Sequence, residues 1–381
     1  MSLYRRPFVL LCASSFFFYL SSQLILPVVP LYAAELGGRE ADVGLIVGVF
    51  AFSAMVFRPL AGWLADRVGR RPLVLLGPAV FAGAALAYPA VGAIPTLLLL
   101  RVLHGVGMGV GPTAATVVVA DLAPVERRGE ALGVFGLTMT AGMAFAPYLG
   151  IELMRRSGFD STFVVAAAIA AAGVIAAWAL PETRPATARA ARAPLSPGEL
   201  FSARALYPAA MVVALCFTFG GIVSFLPLHA ARAGLGNPGL FYTVFALTAV
   251  VVRWSAGRLA DSLGRRLVIV PSLVLAGLGL VALASASGPA WLAAAAVLYG
   301  IGFGAGQPAL MAMTTDRVAP EARGRAMGTF FTAWELGISG GSVLLGVCAA
   351  RAGYPAMWWV AAAVAWAGAC AGARDITRRR G

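Results

Sequence analysis

The 381 residues are 60% hydrophobic and 12% charged, mean hydropathy is +0.85, and the formal net charge is +13. A soluble globular chain carries about 25% charged residues, so a water-soluble domain is excluded. All 29 basic residues are Arg, scattered over short hydrophilic breaks with no aromatic-interleaved patch, which excludes a nucleic-acid-binding surface.

The apolar residues fall in runs near the length that crosses about 30 Å of hydrocarbon. The first span, Phe8–Tyr32, follows Arg5-Arg6; it is too long for a signal-peptide core, and Pro27 and Pro30 sit near its far end. The remaining spans of the first half are predicted near 43–65, 72–93, 96–121, 130–154 and 161–180. A Pro-, Ala- and Arg-rich stretch, 181–205, reads as a loosely ordered linker. The second half gives spans near 206–231, 239–260, 267–287, 289–315, 325–349 and 355–373. Cys12, Cys216, Cys348 and Cys370 all lie in apolar runs without CxxC spacing, and two His complete no metal set; inert core thiols and no cofactor are expected.

The two halves are copies. Gly62-Trp63-Leu64-Ala65-Asp66-Arg67-Val68-Gly69-Arg70-Arg71 recurs, at an offset of 195 residues, as Gly257-Arg258-Leu259-Ala260-Asp261-Ser262-Leu263-Gly264-Arg265-Arg266. The same offset carries Arg58 onto Arg253, Gly105-x-Gly107-x-Gly109 onto Gly300-x-Gly302-x-Gly304, Asp121 onto Asp316, Arg128-Gly129 onto Arg323-Gly324 and Gly133 onto Gly328. The fold expected is an all-α membrane protein of twelve spans in two six-helix units, 1–180 and 206–381, joined by the 181–205 linker. With the N-terminus in the cytoplasm, 21 Arg lie in loops and tails on that side and five on the other, which predicts cytoplasmic termini and an even span count. Six spans per unit give both copies one orientation, related by an axis along the membrane normal with a cavity between them.

These residues resemble the major facilitator superfamily, over essentially the whole chain. Gly62–Arg71 is similar to its signature loop between the second and third spans. Leu98-x-x-Arg101-x-x-His104-Gly105-x-Gly107 resembles its fourth-span motif, with His104 where Gln is usual. Gly133, Gly142, Pro147 and Gly150 keep the spacing of the fifth-span motif of antiporters, with Ala146 and Ile151 where that motif has Gly. The resemblance implies a cytoplasmic gate built from Gly62, Asp66, Arg67, Gly69, Arg70, Arg71, Asp121, Asp261, Gly264 and Arg265. In it Asp66 would meet the start of the eleventh span near Arg323–Met327, Asp261 the start of the fifth near Arg127–Ala131, and Arg70 would pair with Asp121.

The residues support part of this independently. Asp66 and Arg70 are four apart, on one face of a continuing helix, and Gly69 permits a sharp turn. Arg58 and Arg253 occur in both units and are read as architectural. Glu335 is not copied; Thr140 takes its place in the first unit. It lies ten residues past Arg325, roughly 15 Å into the membrane. A lone carboxylate there costs at least about 2.5 kcal/mol, so Glu335 is expected to be paired with Arg58, protonated, or facing water. Arg101 belongs to the outer half of the bilayer, too shallow to pair with Glu335, and His104 shares its neighbourhood. Glu335, Arg101, His104 and Arg58 are the candidate proton-coupling or substrate-cavity residues. His229 reads as a hydrogen-bonded core residue.

No Walker A loop, HExxH or nucleophile–base set is present, so an enzyme is not expected and an ion or solute gradient must supply energy. The expected function is proton-coupled efflux of a small organic solute or drug across a bacterial inner membrane, by a monomer with no nucleic-acid partner. Uptake symport or uniport of a sugar-like or organic-acid solute is the alternative. A non-transporting sensor or scaffold would need an output domain or long tail, and the chain ends nine residues after Gly372.

Overall fold

The computed structural model describes residues 5–124, 127–183, 202–319 and 322–377. The side chains of Asp66, Asp261, Arg128 and Arg374, most of the predicted linker and the end of the tail lie outside that description. Among the described residues all regular structure is helical. The helices are α1 (Arg6–Ile25), α2 (Val28–Glu35), α3 (Glu40–Arg67), α4 (Arg71–Ala87), α5 (Ile94–Leu122), α6 (Arg128–Trp178), α7 (Leu206–Arg232), α8 (Gly239–Leu263), α9 (Arg265–Ala284), α10 (Pro289–Asp316) and α11 (Arg323–Thr377).

Nine segments among the described residues are long and apolar enough to cross a membrane, and Gly239–Arg253 of α8 adds a shorter apolar helix. The predicted first span is interrupted: α1 stops at Ile25 and α2 resumes at Val28, because Pro27 has no N–H to continue the ladder. Two of the nine segments run 49 residues, a length of roughly 74 Å if straight. Each is broken by a glycine in a conformation closed to other residues, Gly158 (φ 82°, ψ 175°) in α6 and Gly353 (φ 78°, ψ 172°) in α11. These two glycines are themselves 195 residues apart, as are Gly69 (φ 115°) and Gly264 (φ 97°). The sequence offset is therefore also an offset in backbone conformation.

Packing follows the same offset. In the first set α1 lies on α6, α3 on α5, and α4 on both α5 and α6; in the second α7 lies on α11, α8 on α10, and α9 on both α10 and α11. The glycines spaced by two in α5 alternate between neighbours. A methyl at Gly105 or Gly109 would strike the backbone of α3 at Phe50 or Ala54, and one at Gly107 or Gly111 would strike α4 at Phe81 or Gly77. Gly300 and Gly304 face α8, while Gly302 faces α9, in the same alternation. Close backbone approach of this kind supplies the van der Waals contact that holds helices together in lipid, where apolar burial gives little drive.

Two seams join the sets, α3 against α11 and α6 against α8. At one end they are tight. Gly44 abuts the Ser342 carbonyl and Gly346, and its copy Gly239 abuts the backbone of Tyr148. Gly48 abuts the Ser339 carbonyl, and Thr243, which replaces Gly48 in the second copy, donates to the Ala144 carbonyl at 2.6 Å. At the other end, a methyl placed at Gly62, Gly133, Gly136 or Gly257 would meet nothing within 4 Å. The close backbone contacts across the seams lie at the Glu40 end, and these glycines of the repeated-loop end make none.

Candidate functional site

At the loop end each set has an ion pair between adjacent helices. Arg70 lies 2.7 Å from Asp121, and its copy Arg265 lies 3.1 Å from Asp316. In the first set the pair is extended: Arg70 donates to the Thr183 carbonyl at 3.1 Å, and the Thr183 hydroxyl donates to Asp121 at 2.8 Å. Glu182 accepts the backbone N–H of Arg70 at 2.9 Å and of Arg71 at 3.1 Å. A carboxylate suits this place because the first turn of α4 has unmet N–H groups and the positive end of the helix dipole. A Cβ at Gly69 would sit 2.5 Å from Glu182 Oε2, and the backbone there already has φ 115°; both facts require glycine.

Glu182 is the residue that sequence reasoning missed. Its only signal was a lone acid following the last apolar residue of the sixth span, inside a stretch read as linker. Arg71 donates to the Trp178 carbonyl at 2.6 Å, and the Arg67 guanidinium stacks 3.9 Å over Trp63, so much of the loop folds onto its own set. A methyl at Gly62 would meet nothing within 4 Å, and Gly264 with Arg265 forms the copied turn. The expected contacts of Asp66 and Asp261 lie outside the described residues, because the side chains of both acids do.

At mid-depth the structure brings Arg58 and Glu335 together across the α3–α11 seam. Arg58 Nη2 and Nε lie 2.6 and 3.1 Å from Glu335 Oε1. Glu335 retains 7% of its side-chain exposure and Arg58 26%, so the carboxylate is the more deeply held partner. Phe331 lies 6.0 Å from the Arg58 guanidinium. The pair is the only ion pair among the described residues that ties the two sets together at this depth.

Arg101 and His104 lie elsewhere, inside the first set. Arg101 is 7% exposed and His104 is fully buried. Arg101 donates to the Ile46 carbonyl at 3.3 Å and lies 4.0 Å over the Phe50 ring, while His104 Nδ1 lies 3.0 Å from the Tyr88 hydroxyl. His104 also packs against Phe81 at 3.9 Å between ring centroids. Both residues are locked between α3, α4 and α5, and neither touches Arg58 or Glu335. Of the fifth-span motif, Gly142 and Gly150 lie against the α1 backbone at Tyr19 and Leu24, Pro147 is within α6, and Gly133 faces open space. His229 accepts from Trp358 Nε1 at 3.2 Å in the core of the second set.

The tight end carries its own cross-seam polar contacts. Arg232 lies 2.7 Å from Glu40, and Arg155 donates to the Gly236 carbonyl at 3.0 Å. Ion pairs of this kind do no bond chemistry; they hold packed helices together. The fold and this axis define a small-molecule membrane transporter, secondary-active or facilitated, and not an enzyme.

The family can then be stated: the chain belongs to the Major Facilitator Superfamily, whose model matches residues 11–255 and 238–374. It is 23% identical, over 93% of its length and 92% of the relative's, to the staphylopine export protein of Staphylococcus aureus (strain Mu50 / ATCC 700699). It is 29% identical to the quinolone resistance protein NorA of Staphylococcus aureus over 35% of each chain. Among solved structures it resembles the human organic anion transporter MFSD10 (TETRAN), with a TM-score of 0.71 and 19% identity over 97% of this chain and 99% of that one.

Proposed function

We propose that this chain exports a small organic solute or drug from a bacterial cytoplasm in exchange for protons. In this reading α6 and α11 each make two spans, divided at Gly158 and Gly353, which gives twelve spans in two six-helix units, 1–180 and 206–381. Both termini are cytoplasmic, the loop end faces the cytoplasm, and the parted seams are an inward-open cavity. The units rock about the Arg58–Glu335 level. The loop residues Asp66, Arg70, Asp121, Asp261 and Arg265 clasp the cytoplasmic end when the outer end opens.

The observation that carries the proposal is the Arg58–Glu335 pair, a membrane-depth carboxylate at the seam that must rearrange. A proton arriving from outside neutralises Glu335 and releases Arg58; deprotonation toward the cytoplasm restores the pair. Export as the direction is supported by the spacing of Gly133, Gly142, Pro147 and Gly150 and by the likeness to a staphylopine export protein and a quinolone resistance protein of Staphylococcus aureus. The test is purified protein in proteoliposomes with an imposed pH gradient. The reading requires a quinolone or other organic solute to move against its gradient toward the acidic side. Movement that ignores the pH gradient would leave a facilitated carrier.

A further inference from the structure

We infer that Arg253 is an anion-binding site in the central cavity, and that the transported solute is a small organic carboxylate with an apolar body. The inference rests on the transport reading above and adds the chemical class of its substrate.

The repeat makes the argument. Arg253 is the copy of Arg58, and Arg58 has Glu335 as its counter-charge. The position that copies Glu335 in the first set is Thr140, half-buried on α6, the helix that packs against α8. Arg253 therefore occupies the mirror position without the mirror acid. Its hydrogen-bond partner is the Gln307 side-chain oxygen on α10, and no carboxylate among the described residues lies within ion-pair distance of it.

Arg253 lies on the protein-facing side of α8, toward α10. At helical spacing it continues the stripe Ala246, Ala249, Ala256 and Ala260, all buried, whereas the exposed Leu247, Val251 and Leu259 lie on other faces of α8. It sits fourteen residues into a helix that begins at Gly239, roughly 21 Å along it and near mid-membrane. Yet Arg253 is exposed, which at that depth means facing the space between the sets. An isolated guanidinium there is tolerated when water or an anionic ligand completes it, and its planar fork matches a carboxylate bidentately. Gln307 holds the fork by one N–H and leaves other donors for the ligand. One helical turn along α10, the buried Phe303 meets Trp334 of α11 at 5.6 Å between centroids, so the surroundings of Arg253 on that side are apolar.

Three probes with one ring system and different charge test this: 1-naphthoate, neutral 1-naphthamide and the 1-naphthylmethylammonium cation. Counterflow of each is measured in proteoliposomes of the full chain. The inference expects naphthoate exchange at least tenfold faster than that of the other two. It expects at least a tenfold loss of naphthoate exchange in Arg253→Gln, with partial retention in Arg253→Lys. Thr140→Glu, which restores the missing acid, should cause a similar loss by occupying Arg253 internally. The charge preference of the unaltered protein needs no variant to fold, so it stands as a test by itself. Faster exchange of the amide or the cation, or full naphthoate exchange in Arg253→Gln, overturns the anion site and leaves the transport reading intact. No exchange of any of the three overturns both.

Discussion

The tight seams can be wedged by one methyl group. Gly239 abuts the Tyr148 backbone and its copy Gly44 abuts the Ser342 carbonyl, in both cases backbone that no rotamer change can withdraw. Gly239→Ala or Gly44→Ala must therefore push the two sets apart at the Glu40 end. Overpacking of this kind costs about 1–3 kcal/mol. The cost falls only on the arrangement in which the seam is closed, so the population ratio should shift about 5- to 150-fold toward the opened outer end. The readout is the distance distribution between spin labels at Arg39 and Arg351, which flank the α3–α11 seam, with Cys12, Cys216, Cys348 and Cys370 replaced. A longer component should grow in both alanine variants. Gly83→Ala is the control, since a methyl there, on an exposed face of α4 away from both seams, meets nothing within 4 Å and should leave the distribution unchanged. An unchanged distribution in Gly44→Ala and Gly239→Ala would refute the claim that these seams are the closed gate.

Other consequences are as specific. Glu182→Gln keeps the hydrogen-bonding shape but removes the charge at the start of α4, a loss of about 0.3–1 kcal/mol at this exposed site, visible as a lowered unfolding temperature in detergent; an unchanged temperature would contradict the capping role. Arg58→Leu or Glu335→Leu alone should cost up to about 3 kcal/mol, the low end for buried pairs because Arg58 keeps 26% of its exposure. The double variant Arg58→Leu with Glu335→Leu should recover much of that, and a strictly additive loss would argue against the pair. Reporters fused after Pro185 and after Arg380 should read cytoplasmic and one at Arg39 external; an external C-terminus would undo the two-unit topology.

Much of the architecture was legible because it is written twice. One offset carried the loop motif, the glycine ladder and the acids that end α5 and α10, and the backbone repeats it at Gly69/Gly264 and Gly158/Gly353. Depth counted along helices made Arg58 one candidate partner for Glu335 and set Arg101 away from it; the contact itself comes from the structure. Other features depend on side-chain direction or long-range contact, which spacing does not encode. Glu182 sits in a Pro- and Arg-rich stretch whose composition signals loose chain, yet its carboxylate seats on a helix start more than 100 residues earlier. The Glu40–Arg232 clasp joins the start of one helix to the end of another with no shared pattern. Arg253 read as architecture because it is copied; only its lack of the copied acid among the described residues sets it apart from Arg58. His104 and Arg101 read as cavity residues, whereas α3, α4 and α5 enclose them.

In the proposed function the coupling of proton to solute turns on one carboxylate, Glu335. The direct measurement is Glu335→Gln in proteoliposomes, assayed both for solute-for-solute exchange and for transport driven by an imposed pH gradient. Exchange needs no net proton movement, so the account predicts that it survives while the pH-driven component is lost. Intact pH-driven transport in Glu335→Gln would contradict the assignment of the coupling proton to Glu335.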